Sequence, residues 1–171
     1  GTALFYETGS QNGGIRAMRL DSAPAALTII PDAFQESAPA LSPDGRWLAY
    51  QSSEPGRTEV YVRPFPGPGP RVPVSLNGGT EPCWSRDGRE LFYREGDAMM
   101  AASVRTQPAF EVTERRRLFS GAYLSGGSFR EFDVSPDGRR FVMVRGGAST
   151  TSLVAVEGLL ERLRYDARRR R

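Results

Sequence analysis

An all-β fold built of propeller blades follows from three observations on the 171-residue sequence. One template recurs at a spacing that fits a four-stranded sheet. Nineteen Gly and 13 Pro punctuate most of the chain. Helix-favouring runs are scarce. Together these predict many short strands joined by tight turns, repeated blade by blade.

The template occurs at residues 38–50, 81–93 and 131–143. In each copy a short apolar strand leads into Ser-x-Asp-Gly, and a second strand follows. The aspartates Asp44, Asp87 and Asp137 are 43 and then 50 residues apart, the length of one blade. Asp bonds its own local backbone and Gly takes a positive φ at no steric cost. Asp44-Gly45, Asp87-Gly88 and Asp137-Gly138 are therefore read as structural turns, with Pro43 and Pro136 presetting the first corner.

Third strands are expected at 59–63, 99–104 and 152–156, and fourth, outer strands near Arg71–Ser75 and Arg117–Ser120. Ahead of the first full copy, Leu4–Glu7, Ile15–Leu20 and Leu27–Ile30 fit the second, third and fourth strands of a blade without its inner strand. The tally is three, four, four and three strands, 14 in all, forming a partial propeller of about four blades with incomplete first and last blades. The blades divide at 1–36, 37–79, 80–128 and 129–157. In residues 158–171, Leu159, Leu160 and Leu163 share one helical face, which predicts a short C-terminal helix before an Arg-rich tail. A ring of about four complete blades needs more strands than these. Closure is expected from blades of a longer parent or from a second copy in a homodimer. The open faces of the end blades predict that the isolated chain dimerises or aggregates.

Charge says little about partners. All 23 basic residues are Arg, a bias that a GC-rich genome produces. The net charge of +3 comes from the tail, where six Arg stand against Glu161 and Asp166. A nucleic-acid binder carries its charge on a folded face, so no nucleic-acid partner is expected. No apolar stretch is long enough to span a bilayer, and no membrane contact is expected of this segment. Cys83, the single cysteine, falls in an apolar strand pattern and reads as a small buried hydrophobe.

Catalytic chemistry finds no footing. The sequence has no His, which excludes a Ser-His-Asp triad and a His-bearing metal site. With no Lys and no Gly-x-Ser-x-Gly, a phosphate loop and a nucleophile elbow are missing as well. No catalytic residue, metal or cofactor is expected. Trp47, Trp84, Tyr50, Tyr93 and Phe141 are read as packing between blades. In a propeller the loops leading into the inner strands collect around the central channel, and loops carry function more often than scaffolds. The candidate binding residues are those of these loops: Gln35, Glu36, Thr80, Glu81, Phe129 and Arg130.

The block Ser42–Tyr50 and the stretch Glu59–Gly67 resemble the repeat of TolB-like, WD-repeat-like propellers. The segment Leu153–Leu163 is similar to the C-terminus of propellers attached to bacterial receptor-type serine/threonine kinases, where a Leu-Val-x-Val strand is followed by a short amphipathic helix. The resemblance implies a non-catalytic sensor or binding module, an extracytoplasmic (periplasmic) location and a protein or small-molecule ligand. The kinase motifs themselves are absent, so no kinase residue carries over. The alternatives are a TolB-like periplasmic propeller of an envelope complex and the propeller of a prolyl-oligopeptidase-type serine peptidase.

Overall fold

A computed structural model describes residues 3–7, 13–19, 26–30, 34–54, 56–125, 129–146 and 151–156. Among these, 14 strands form four antiparallel sheets, each a meander in chain order. The first blade holds β1 (Ala3–Glu7), β2 (Ile15–Arg19) and β3 (Ala26–Ile30). The second holds β4 (Glu36–Leu41), β5 (Trp47–Ser52), β6 (Glu59–Pro64) and β7 (Val72–Pro73). In the third are β8 (Thr80–Trp84), β9 (Glu90–Glu95), β10 (Ala98–Arg105) and β11 (Glu111–Ser120). The fourth has β12 (Phe132–Val134), β13 (Phe141–Gly146) and β14 (Thr151–Val156). The three-four-four-three tally is as the repeat predicts; the expected C-terminal helix lies outside the described residues.

Two outer strands differ from expectation. β11 starts at Glu111, well before Arg117, because it lies at the blade's outer edge, where charged residues occupy both faces and no apolar alternation marks it. Its pairing with β10 runs almost end to end, interrupted by two irregularities. β7 shrinks to two residues: after Pro73 the amides of Val74 and Ser75 both turn onto the Val60 carbonyl, at 2.8 and 3.3 Å.

The three turns are built alike. The hydroxyl of Ser42 donates to Asp44 Oδ1 at 2.6 Å, and that oxygen also accepts the Arg46 amide at 3.1 Å. Ser42 Oγ in turn accepts the Trp47 amide at 2.9 Å, closing the loop onto the next strand. Ser85–Asp87 and Ser135–Asp137 repeat this with contacts of 2.7 and 2.5 Å. The glycines Gly45, Gly88 and Gly138 sit at φ of 73°, 70° and 68°, left-handed backbone that a Cβ would strain.

The blades stack face to face, with an apolar layer in each of the three gaps. Between the first and second lie Ile15, Ala17, Ile29 and Ile30 against Leu48, Tyr50 and Tyr61. Ala49, Val60, Val62 and Val74 meet Trp84, Leu91, Tyr93 and Phe110 in the next gap. In the last gap, Cys83, Phe92, Met99 and Ala101 meet Phe132, Phe141 and Met143. Alternate residues of β5 and β9 therefore serve opposite neighbours, and both strands are apolar at consecutive positions. Aromatic contacts reinforce the layers: Phe92 stands edge-on to Phe141 at 5.2 Å, and Trp47 lies 5.3 Å from Phe110.

The apolar layer between the second and third blades encloses an unmatched phenol. Tyr93 is fully buried and its hydroxyl has no hydrogen-bond partner among the described residues. Burial holds the phenol up at about 12, above its usual 10.0. Unfolding therefore releases a proton across the window between about pH 10 and 12, and the native state loses stability as pH rises through it. Tyr93→Phe is expected to raise stability at neutral pH by about 1 kcal/mol, since it removes an unsatisfied buried hydroxyl. It should also flatten the alkaline decline. Urea midpoints at neutral and alkaline pH check both; a lower midpoint for the variant at neutral pH contradicts the assignment.

Candidate binding face

Strand direction sorts the connections onto two rims. One rim carries the Ser-x-Asp-Gly turns and the third-to-fourth strand connections. The other carries the connections that lead into the inner strands β4, β8 and β12, together with the second-to-third connections. Contacts within this second rim tie neighbouring loops. The Gln35 amide donates to Ser53 Oγ at 3.3 Å, Arg57 donates to the Leu76 carbonyl, and the Gly121 amide donates to the Asp97 carbonyl at 3.1 Å.

Among the described residues six large apolar side chains are exposed. Four of them, Phe34, Leu76, Leu124 and Phe129, lie on the connections leading into the inner strands, and Phe129 is 79% exposed. The other two, Val142 and Leu153, lie on the face of the fourth blade that points away from the third. A contiguous exposed apolar patch marks a contact surface, whereas singly scattered residues do not.

The six sequence-predicted residues separate into two groups. Gln35, Phe129 and Arg130 are exposed and Thr80 is half-buried. Arg130 is held by an ion pair to Asp133 at 3.4 Å and by stacking over the Phe132 ring. Glu36 and Glu81, by contrast, are buried and join the blades. Glu36 accepts from the Phe34 amide and the Ser52 hydroxyl, both at 3.3 Å, and burial pushes its carboxyl above the usual range. Its amide donates to the Gly13 carbonyl of the first blade at 3.4 Å. Glu81 donates its amide to Gln51 Oε1 at 2.9 Å, and its carboxylate accepts the Glu131 amide at 2.8 Å. The second, third and fourth blades are thus linked at the heads of their inner strands.

Arg94, one repeat on from Gln51, is 1% exposed and was not anticipated from the sequence. It donates to the Gly96 carbonyl at 3.1 Å, and its guanidinium lies 5.9 Å from the Tyr123 ring centre. Burial depresses its pKa, and the nearby carboxylates of Glu81 and Asp97 counter that depression. The backbone bulges at Ala38 and Glu81, with φ of 52° and 58°, were missed too. Their signal was present: in both copies a proline follows directly, and proline inside a strand belongs at an edge or a bulge.

The arrangement offers surfaces for binding and no assembled reaction centre among the described residues. No group of three or more His, Cys, Asp or Glu there is placed to hold a metal. Burial pushes the Cys83 thiol up, away from nucleophilic use. Asp44, Asp87 and Asp137 stand one per blade with an oxygen engaged in the turn. The Ser85 and Ser135 hydroxyls lead in holding Asp87 and Asp137 below the usual aspartate range. At Asp44, burial works the other way and is outweighed by Ser42 and Arg46.

Residues 20–160 match the family model described as the lipoprotein LpqB β-propeller domain. The chain belongs to that family. Solved structures with the same fold include TolB from Acinetobacter baumannii, at 18% identity and a TM-score of 0.66, where the match covers 91% of this chain and 38% of that one. A structure of the nidogen/laminin complex aligns at 14% identity and a TM-score of 0.64, over 91% and 57% of the two chains. Oligogalacturonate lyase from Vibrio parahaemolyticus aligns at 12% identity and a TM-score of 0.56, over 91% and 44%. The chain thus spans little more than half of these structures at most. No curated protein sequence matches it.

Proposed function

We propose that the chain is a non-catalytic protein-binding module of the cell envelope that engages its partner through the rim leading into the inner strands. The grouping of Phe34, Leu76, Leu124 and Phe129 on that rim carries the reading, with Gln35, Thr80 and Arg130 as polar neighbours. Apolar anchors surrounded by polar groups are the usual make-up of a protein-contact patch. The extracytoplasmic setting is supported by membership of a family named for a lipoprotein's propeller. The test places a photoactivatable benzoylphenylalanine at Phe129, in cells of the source organism, with Thr113 on the outer edge strand as the comparison site. A discrete protein adduct from position 129 and none from 113 is the expected result. No adduct at 129, or the same adduct from both sites, contradicts it.

A second, finer reading makes this the sensor end of a receptor-type serine/threonine kinase. It is supported by the sequence Leu153–Leu163 alone. The coding sequence upstream of Gly1 decides it: a kinase signature followed by an apolar span of about 20 residues favours it, and a lipoprotein leader without a kinase removes it.

A further inference from the structure

The rim opposite the proposed contact surface has different chemistry. Its Ser-x-Asp-Gly turns hold Arg46, Arg86, Arg89, Arg139 and Arg140 in solvent. Arg46 folds back on Asp44 at 2.9 Å. The other four guanidinium groups make no ion pair among the described residues. The turns belong to successive blades and are neighbours. A Cβ added at Gly88 would lie 3.7 Å from Pro43 Cδ, and one at Gly138 would lie 3.9 Å from Phe92 Cζ. The inner strands that feed them also touch, with Trp84 Nε1 donating to the Ala40 carbonyl at 3.0 Å. The three aspartates each commit an oxygen to a Ser hydroxyl and a backbone amide. The four unpaired arginines stay exposed on turns that follow one another from blade to blade, an arc at this end of the inner strands.

We infer that this arc of Arg86, Arg89, Arg139 and Arg140 binds an acidic segment of a partner polypeptide. Guanidinium forks match carboxylates two-on-two and hold them with directional, charge-assisted hydrogen bonds. An extended chain projects every second side chain to the same side, about 7 Å apart, so spaced Asp or Glu residues can meet successive turns. Other polyanions fit less well. A single-stranded nucleic acid is held by aromatic stacking as well as by charge, and no aromatic side chain is exposed on these turns. A lipid surface is held by apolar insertion as well as by charge, and none of the six exposed large apolar residues lies on the turns themselves.

The test is a fluorescence titration of a short labelled poly-glutamate peptide with the whole 171-residue chain. Saturable binding that weakens as salt rises is expected. The R89Q/R139Q/R140Q variant should weaken it about tenfold, with R86Q/R89Q as a second variant confined to one blade. R117Q, an exposed arginine of the outer strand β11, and R168Q/R169Q/R170Q/R171Q in the Arg-rich tail should leave it unchanged. The side chains changed in the turn variants are exposed, so melting temperatures should match the parent's. The inference is overturned by no saturable binding, by equal loss in R117Q or the tail variant, or by no loss in the turn variants. It is also overturned if an oligonucleotide, polygalacturonate or anionic vesicles compete better than the peptide.

Discussion

Phe92→Ala is expected to destabilise the chain by about 3–5 kcal/mol, much of the whole stability of an ordinary domain. The side chain is 1% exposed in the gap between the third and fourth blades, edge-on to Phe141 at 5.2 Å. Its truncation opens a cavity bounded by Met99, Phe132, Phe141 and Met143. Those residues sit on paired strands of two separate sheets, so the gap cannot collapse without moving a whole blade. The layer between the first and second blades shares none of these side chains. Loss of stability should therefore appear first as release of the fourth blade. Urea unfolding followed by tryptophan fluorescence, which reports Trp47 and Trp84 in the neighbouring gap, should lag behind unfolding followed by far-UV circular dichroism. A variant that loses less than about 1 kcal/mol would mean that Phe92 is not enclosed in this way.

Glu81→Gln is expected to be the most damaging change of a polar residue, at about 3 kcal/mol. Glutamine keeps the shape and can still accept the Glu131 amide, but it removes the negative charge facing the buried Arg94 guanidinium. A buried cation that loses the larger of its two carboxylate partners is costly, whereas replacing both the cation and that partner is less so. Glu81→Gln combined with Arg94→Gln should therefore be more stable than Glu81→Gln alone, a coupling that a double-mutant cycle of urea midpoints measures directly. Additive effects would show that the two side chains do not act on each other.

Much of this fold can be read from the residues because its signals are local. Ser-x-Asp-Gly closes its turn within six residues, and three such turns at blade spacing fix where strands begin and reverse. What escapes is decided by partners from other blades. Glu36 and Glu81 look like loop residues in sequence, yet their bonds reach Ser52 and Glu131, 16 and 50 residues away. Arg94 shows no sign of burial because both faces of β9 are covered, so alternation gives no clue to which polar residue lies inside. The charged run of β11 hides a strand for the opposite reason: its faces are open. On the candidate rim, the loop placement of Phe129, Arg130 and Gln35 is legible from topology. Leu76 was overlooked although it precedes Asn77-Gly78-Gly79, a turn where a large apolar residue has no core to enter.

Native-state hydrogen exchange tests the stacking of blades most directly. In β5 and β9 both faces are covered, whereas β13 and β14 present Val142 and Leu153 on an open face, 43% and 74% exposed. At concentrations where sedimentation shows a single chain, the amides of β5 and β9 should exchange slowest and together, through global unfolding. Those of β13 and β14 should exchange earlier, by sub-global release of the fourth blade. Protection of β13 and β14 equal to that of β9, or fast exchange in β9 itself, would contradict the face-to-face arrangement.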